Sequence, residues 1–186
     1  MSSGYDLYFV EFELDAHGNK VLDPIWGYKL TERSQKACRE YRRSIVKGRE
    51  PMRDLPIHLR TDPRLPHLKP PRLQYGLAFT NQHIMDCVAR YKIPLMDVPP
   101  EQHHIRICDA ILKVTQLLTV ACQMLIHITV PVDVENGWMI GLYDNYNWWT
   151  ERLVEEEEEE VVDMIREVLK IDSSSPLQWY YDSRQP

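Results

Sequence analysis

The stretch from His104 to Tyr143 constrains the fold most, because its apolar spacing changes from a helical to an extended period within one segment. From Met124 to Val132 apolar residues alternate in steps of two, which predicts a strand. The preceding helical spacing predicts one buried face made of Ile105, Cys108, Ile111, Leu112, Thr115, Leu118 and Cys122. A buried helix that leads into a strand is typical of an α+β domain.

The dipeptide Asn136-Gly137 favours a tight hairpin turn, because both residues tolerate positive φ, and Trp138 to Tyr143 would return as the second strand. In a two-residue loop Pro131 would face Leu142 at a position that should donate a ladder hydrogen bond. Proline has no N–H to donate. Either the ladder stops or bulges near Pro131, or the loop is longer than two residues.

Other patterns in the sequence predict further elements before and after the segment from His104 to Tyr143. Residues 5–14 alternate as a strand does, Thr31 and Gly48 delimit a surface helix, and a last helix covers 150–170. We therefore predict an α+β fold with a mostly antiparallel sheet of about four to five strands. The predicted strands lie near Tyr5, Gln74, Met124 and Trp138. The central helix and the C-terminal helix would pack on this sheet.

A chain of 186 residues, 44% hydrophobic and 27% charged, has the size and composition of one ordinary globular domain. We expect a single α+β domain over 1–172. Within it, 49–72 is rich in Pro and Arg and predicts an irregular, solvent-facing segment, because the prolines forbid both helix and central strand. After the last helix, 173–186 is expected to be a C-terminal tail.

The N-terminus shows neither a basic region nor an acid-free apolar stretch, and polar residues interrupt the longest apolar run. These features predict no signal peptide and no membrane span. The four cysteines are too few and too scattered for a disulfide scaffold. We expect a cytoplasmic protein with reduced thiols.

Basic and acidic residues are segregated along the chain, whose formal net charge is −6. Residues 31–72 hold twelve Lys or Arg against five Asp or Glu, a balance of +7. The rest of the chain holds ten against twenty-three, a balance of −13. Such asymmetry indicates an electrostatic contact with a partner or between parts of the protein.

Within the basic part, four residues fall on one line of the predicted surface helix: Lys36, Arg39, Arg43 and Lys47. Like charges at this spacing repel one another and favour an external anion. Nucleic acid, an acidic partner protein or a second copy of the chain would supply one. Because six consecutive glutamates occupy Glu155 to Glu160, we expect the two opposite fields to meet, within one chain or between two.

The segment 143–149 interleaves aromatic and polar residues, a composition that can stack on a sugar or base as well as fill a core. Tyr146, Trp148 and Trp149 are its candidate binding residues, and one of the two tryptophans should be exposed. If the hairpin register continued past Pro131, His127 would lie opposite Tyr146, with Asp144 across from Thr129. His127, Asp144 and Tyr146 are therefore the candidate catalytic residues, with His127 as a general base.

Two His-x-x-x-Cys pairs are the candidate metal ligands: His83 with Cys87, and His104 with Cys108. Two thiolates and two imidazoles can close a tetrahedral zinc site. Both cysteines also fit apolar stripes, so packing explains them without a metal, and we expect no zinc.

The chain has no glycine-rich phosphate loop, G-x-S-x-G elbow, H-E-x-x-H or C-x-x-C motif. The patterns favour a non-enzymatic, self-associating protein–protein interaction module with no cofactor and no membrane partner. The first alternative is nucleic-acid binding through the basic residues of 33–72. The second is a small-molecule or hydrolytic site near His127 and 143–149.

Overall fold

The computed structural model describes residues 10–61, 64, 67 and 69–183, and within them helices and antiparallel strands combine in an α+β fold, as predicted. Two short 3-10 helices cover Ile57–Leu59 and Pro100–Gln102. The strands and α-helices are β1 (Leu22–Asp23), β2 (Gly27–Tyr28), α1 (Glu32–Val46), β3 (Leu73–Phe79), α2 (Asn81–Arg90), α3 (His103–Ala121), β4 (His127–Thr129), β5 (Trp138–Asp144), α4 (Trp148–Glu151), α5 (Glu155–Leu169) and β6 (Gln178–Tyr181).

The main sheet has the order β4-β5-β3-β6, and every pair in it is antiparallel. β3 pairs with β5 along its length, with an irregularity between Tyr75 and Gly76. Gly76 is required there, because a Cβ at this position would lie 1.9 Å from the Ile140 carbonyl oxygen. β1 and β2 form a separate two-stranded sheet.

The main core lies between this sheet and the helices α2, α3 and α5. Leu77 and Phe79 of β3 and Ile140 of β5 are fully or almost fully buried against the helices. The helices contribute the following buried residues: Ile84, Cys87 and Val88 from α2, Ala110, Val114 and Leu118 from α3, and Ile165, Val168 and Leu169 from α5. The predicted packing of a central and a C-terminal helix on the sheet is thus confirmed.

The predicted period of α3 is correct and its predicted buried face is partly correct, since Leu118 is buried and Ile111 and Cys122 are partly buried against the core. The buried residues are Ile107, Ala110, Val114 and Leu118, whereas Ile105, Cys108 and Leu112 are exposed. Successive residues turn by about 100° around a helix, so the observed face lies roughly a quarter turn from the predicted one. The error arises because apolar residues cover more than one side of α3, while Arg106, Asp109, Lys113 and Gln116 line up on another. An apolar stripe with Leu112 58% and Val120 77% exposed therefore faces outward.

The connection between β4 and β5 covers 130–137, so of the two alternatives for Pro131 the longer loop is the one observed. β4 itself is only three residues long. Beyond Thr129 the chain leaves β5 and pairs with the end of β6. The Val132 N–H donates to the Tyr181 carbonyl at 2.9 Å, and the Ser183 N–H donates to the Val130 carbonyl at 3.2 Å.

The prediction that 173–186 forms a tail is wrong for β6, which pairs with β3 inside the main sheet. Trp179 and Tyr180 are buried there. The other edge of β6 is occupied by Met52, whose N–H and carbonyl both bond to Trp179, at 2.9 and 2.7 Å. The two buried aromatic side chains give this short strand the packing that a tail would lack. Residues 184–186 lie outside the described part.

The first predicted strand does not join the main sheet in its described part. Phe12 and Leu14 form isolated antiparallel bridges with Leu30 and Lys20. Residues 10–14 therefore pair with the residues on either side of the β1–β2 hairpin. Residues 5–9 lie outside the described residues. In the described part of the chain, β6 is thus the strand of the main sheet that the sequence did not predict.

The Pro- and Arg-rich segment 49–72 is irregular in its described part apart from the turn of Ile57–Leu59, as predicted. It is not simply solvent-facing, however, because Leu55 and Leu59 are buried. They pack with Leu73, Tyr143 and Trp179 in a second apolar cluster. The described part of 49–72 thus contributes to the apolar packing of the domain.

Candidate interaction surface

Helix α1 lies on the surface and buries little of itself. It begins at the predicted N-cap Thr31, whose hydroxyl oxygen accepts from the Ser34 N–H at 3.3 Å. Of its 15 residues only Ser34 and Val46 are buried. Most helical stability in proteins comes from packing of one face. Most of the surface of α1 is therefore free of contacts within the described chain.

That free face carries Lys36, Arg39 and Arg43, which together with Lys47, the residue that ends the helix, we define as the basic line. All four side chains are exposed. Within the described part of the chain, no carboxylate forms an ion pair with any of them. The neighbouring Arg33 does have a partner, Glu11, at 3.7 Å. The four like charges of the basic line are thus left facing solvent.

Helix α5 carries the opposite charge on its outward side. We define the acidic face as Glu156, Glu160, Asp163 and Glu167, and all four residues are exposed. Asp163 pairs with Arg166 of the same helix at 3.4 Å. Among the residues that the structure describes, the three glutamates have no cationic partner. The acidic face therefore also lacks neutralisation within one chain.

The basic line and the acidic face do not meet within one chain, since no ion pair between α1 and α5 occurs in the described residues. Of the two contacts expected from the sequence, within one chain or between two chains, only the contact between two chains is compatible with this structure. In each set the first and last residues are eleven positions apart, which corresponds to about 16 Å along a helix. The two faces have matching lengths and opposite charge.

One member of the glutamate run behaves differently from the rest. Glu158 is half-buried, and its carboxylate accepts from the Tyr143 hydroxyl at 3.1 Å and lies 3.5 Å from the Tyr75 hydroxyl. The two tyrosine rings stack with centroids 4.9 Å apart. Burial, and then the Glu158 charge, raise the pKa of Tyr143, so it stays protonated and donates. This contact anchors the start of α5 to β3 and β5.

The aromatic segment 143–149 holds the Pro- and Arg-rich segment in place. The Tyr146 hydroxyl donates to the Pro70 carbonyl, and the Arg72 guanidinium lies over the Tyr146 ring at 5.4 Å. Arg72 also lies 3.4 Å from the Asp144 carboxylate. Tyr146 and Asp144 therefore have structural partners within the chain.

The two adjacent tryptophans face different environments, as predicted. Trp148 is half-buried in the second cluster, with the Arg60 guanidinium 5.6 Å from its ring. Trp149 is 41% exposed. Of the aromatic candidates, Trp149 is the one available to a partner.

The structure does not assemble the candidate catalytic residues through strand pairing. His127 is exposed on the edge strand β4 and faces Gly141, rather than Tyr146. Asp144 faces Gln74. The sequence-based register failed because it assumed a two-residue loop. The hydrolytic alternative gains no support from this geometry.

The candidate metal ligands lie in different surroundings. Cys87 is buried in the core, which raises the pKa of its thiol, whereas His104 and Cys108 are exposed on α3. The His83 imidazole contacts the N-cap residue of α2. Within the described residues there is no group of three or more His, Cys, Asp or Glu side chains that could hold a metal ion. All four cysteines are free thiols.

His83 makes the start of α2 sensitive to pH. Its Nδ1 accepts from the Thr80 N–H at 3.1 Å in a capping box, which requires an unprotonated Nδ1. Burial, opposed in part by Asp86, lowers the pKa of His83 below 6.5. The stabilisation is therefore complete above the unfolded-state pKa and is lost as pH falls through the lower folded-state pKa.

We expect His83→Gln to abolish this pH dependence, because glutamine can also accept from the Thr80 N–H but does not titrate. Urea unfolding of the parent and the variant at pH 8 and pH 5 measures the pH dependence of the free energy of unfolding. Relative to the variant, the parent should lose stability at pH 5. An equal stability difference at the two pH values would contradict the role of His83.

Comparison of the chain with protein-family models, with curated proteins and with solved structures finds no match to any of the three. No α-helix in the described ranges is both long and apolar enough to cross a membrane.

Proposed function

We propose that the protein is a non-enzymatic protein–protein interaction module that self-associates through its charged helices. The basic line of α1 contacts the acidic face of α5 in a second copy. One observation carries the proposal: both surfaces are exposed and, apart from Asp163, unpaired within the described chain. Like charges aligned on one helix destabilise it, and the opposite charges of a second copy relieve this repulsion in both helices.

The proposed contact is favourable but modest in energy. An exposed ion pair contributes about 0.2 to 1 kcal/mol, and salt screens charges over about 8 Å at physiological ionic strength. In a dimer with two-fold symmetry the contact between α1 and α5 occurs twice. Association should therefore be concentration-dependent and sensitive to salt.

We expect the native mass in sedimentation to fall when salt rises from low to about molar concentration, because screening weakens the contact. Arg39→Glu with Arg43→Glu should lower the mass at low salt. Arg53→Glu with Lys69→Glu changes the net charge equally at exposed positions outside α1, and should leave the mass unchanged. A parental mass for the α1 variant would refute the proposal.

The second candidate function is nucleic-acid binding through the same basic line. It is favoured by the exposure of that line within 31–72, whose balance is +7. An electrophoretic shift with single-stranded RNA distinguishes the two. If the α1 variant keeps the parental mass and loses RNA binding, nucleic-acid binding replaces self-association.

A further inference from the structure

A cleft separate from the charged helices lies between the β1–β2 hairpin and the start of α3. Its volume is about 330 Å³, near the lower end of the range of about 300 to 1,000 Å³ found for small-molecule pockets. Most of its wall is apolar. The apolar lining consists of Leu22, Pro24, Ile25, Val98, Pro99, Pro100 and Ile107.

The walls of the cleft are held in fixed positions. Asp23 Oδ1 accepts from the N–H groups of Ile25 and Trp26, at 2.8 and 2.7 Å, and so shapes the turn of the hairpin. Gly27 has φ +78°, and a Cβ there would lie 2.2 Å from the Pro100 carbonyl oxygen. This close approach brings the hairpin against α3. The cleft is therefore formed before any ligand binds.

The acidic groups near the cleft are already engaged. Besides Asp23, the carboxylate of Glu101 accepts from the Tyr28 hydroxyl, which joins the hairpin to the turn before α3. That hydrogen bond lowers the pKa of Glu101, so the carboxylate stays charged and keeps its contact. A ligand in the cleft would thus meet few free acceptors.

The cleft lining carries one positive side chain, Arg106, and one carboxylate, Asp23, whose Oδ1 is occupied by the backbone N–H groups of Ile25 and Trp26. Arg106 is exposed, and it has no ion pair or hydrogen bond to another described side chain. The first turn of α3 contains no acidic residue, although helix starts favour negative charge. His103 also lines the cleft, with Nδ1 3.3 Å from the Pro100 carbonyl oxygen. A carbonyl only accepts, so Nδ1 carries hydrogen.

We propose that this cleft binds a small molecule with one carboxylate and a compact apolar body. The carboxylate pairs with the Arg106 guanidinium at the positive start of α3, which suits bidentate recognition. The apolar body packs against the proline and aliphatic wall. This site is independent of the proposed self-association, because none of its residues belongs to the basic line or the acidic face.

The test uses the full-length ¹⁵N-labelled protein and three probes: 4-tert-butylbenzoate, its neutral amide, and acetate. We expect the aryl carboxylate to shift the amide signals of 22–27 and 98–107. The amide lacks the charge and acetate lacks the apolar body, so each should bind about tenfold or more weakly. Equal binding of the aryl carboxylate and the amide, or shifts confined to other regions, would overturn the proposal.

Arg106→Gln should weaken binding of the aryl carboxylate by about tenfold or more, because the substitution removes the charge-assisted contact. Arg53→Gln removes the same charge from an exposed position that does not line the cleft, and should leave binding unchanged. Unchanged thermal melts show that both variants fold. If the Arg106 variant binds like the parent, the cleft is not a carboxylate site.

Discussion

Asn145→Ala is expected to cost about 3 kcal/mol or more of the free energy of unfolding. Asn145 is fully buried, and its side chain makes three hydrogen bonds to the backbone. Oδ1 accepts from the Leu73 N–H at 2.9 Å, and Nδ2 donates to the Leu59 and Pro71 carbonyls at 2.8 and 2.9 Å. Each buried group left without a partner costs about 1 to 3 kcal/mol.

The loss should be measured by urea unfolding at equilibrium. Asn19→Ala is the matched control, because Asn19 is exposed and its substitution should change stability by about 0.5 kcal/mol or less. Since Asn145 joins the Pro- and Arg-rich segment to β3, the Asn145 variant should also be cleaved faster by protease within 49–72. Equal stability of both variants would show that Asn145 does not hold this segment.

Leu118→Ala should destabilise the protein by about 2 to 5 kcal/mol, whereas Leu112→Ala should change stability by about 0.5 kcal/mol or less. Both substitutions remove the same atoms from the same helix. Leu118 is 0% exposed in the core, and Leu112 is 58% exposed. Thermal and urea unfolding of the pair therefore measure which face of α3 is buried. Similar losses for both variants would contradict the observed orientation of α3.

How much of the fold follows from the sequence is clearest in α3 and β4. Their apolar periods identify a helix followed by a strand, because each local period depends on neighbouring residues only. The orientation of α3 does not follow, since it carries apolar residues on its outward side as well, among them Leu112 and Val120. Only tertiary packing chooses between two apolar faces.

Long-range pairing was the other feature that local patterns missed. β6 is short and follows a serine- and proline-containing turn, so its sequence resembles a tail. It becomes a strand because Trp179 and Tyr180 find buried contacts with residues far away in the chain. The same limit applies to Pro131, which follows β4 and forms a bridge with Asp182 instead of pairing with β5.

The candidate surfaces were predicted to different degrees. The basic line was visible in the sequence, because helical spacing alone puts Lys36 and Arg43 on one side. The roles of Tyr146 and Asp144 were not visible, since their partners Pro70 and Arg72 come from a segment without regular structure. The cleft beside Arg106 was missed for the same reason, as it joins two elements distant in sequence.

The most direct test of self-association through α1 and α5 is complementation between two reversed variants. One carries Arg39→Glu and Arg43→Glu, and the other carries Glu156→Arg and Glu160→Arg. Alone at low salt, each should sediment at a lower mass than the parent, because like charges now face each other. Mixed in equal amounts, they should regain the parental mass, because both contacts between α1 and α5 again join opposite charges. A mixture that keeps the mass of the separate variants would contradict the account.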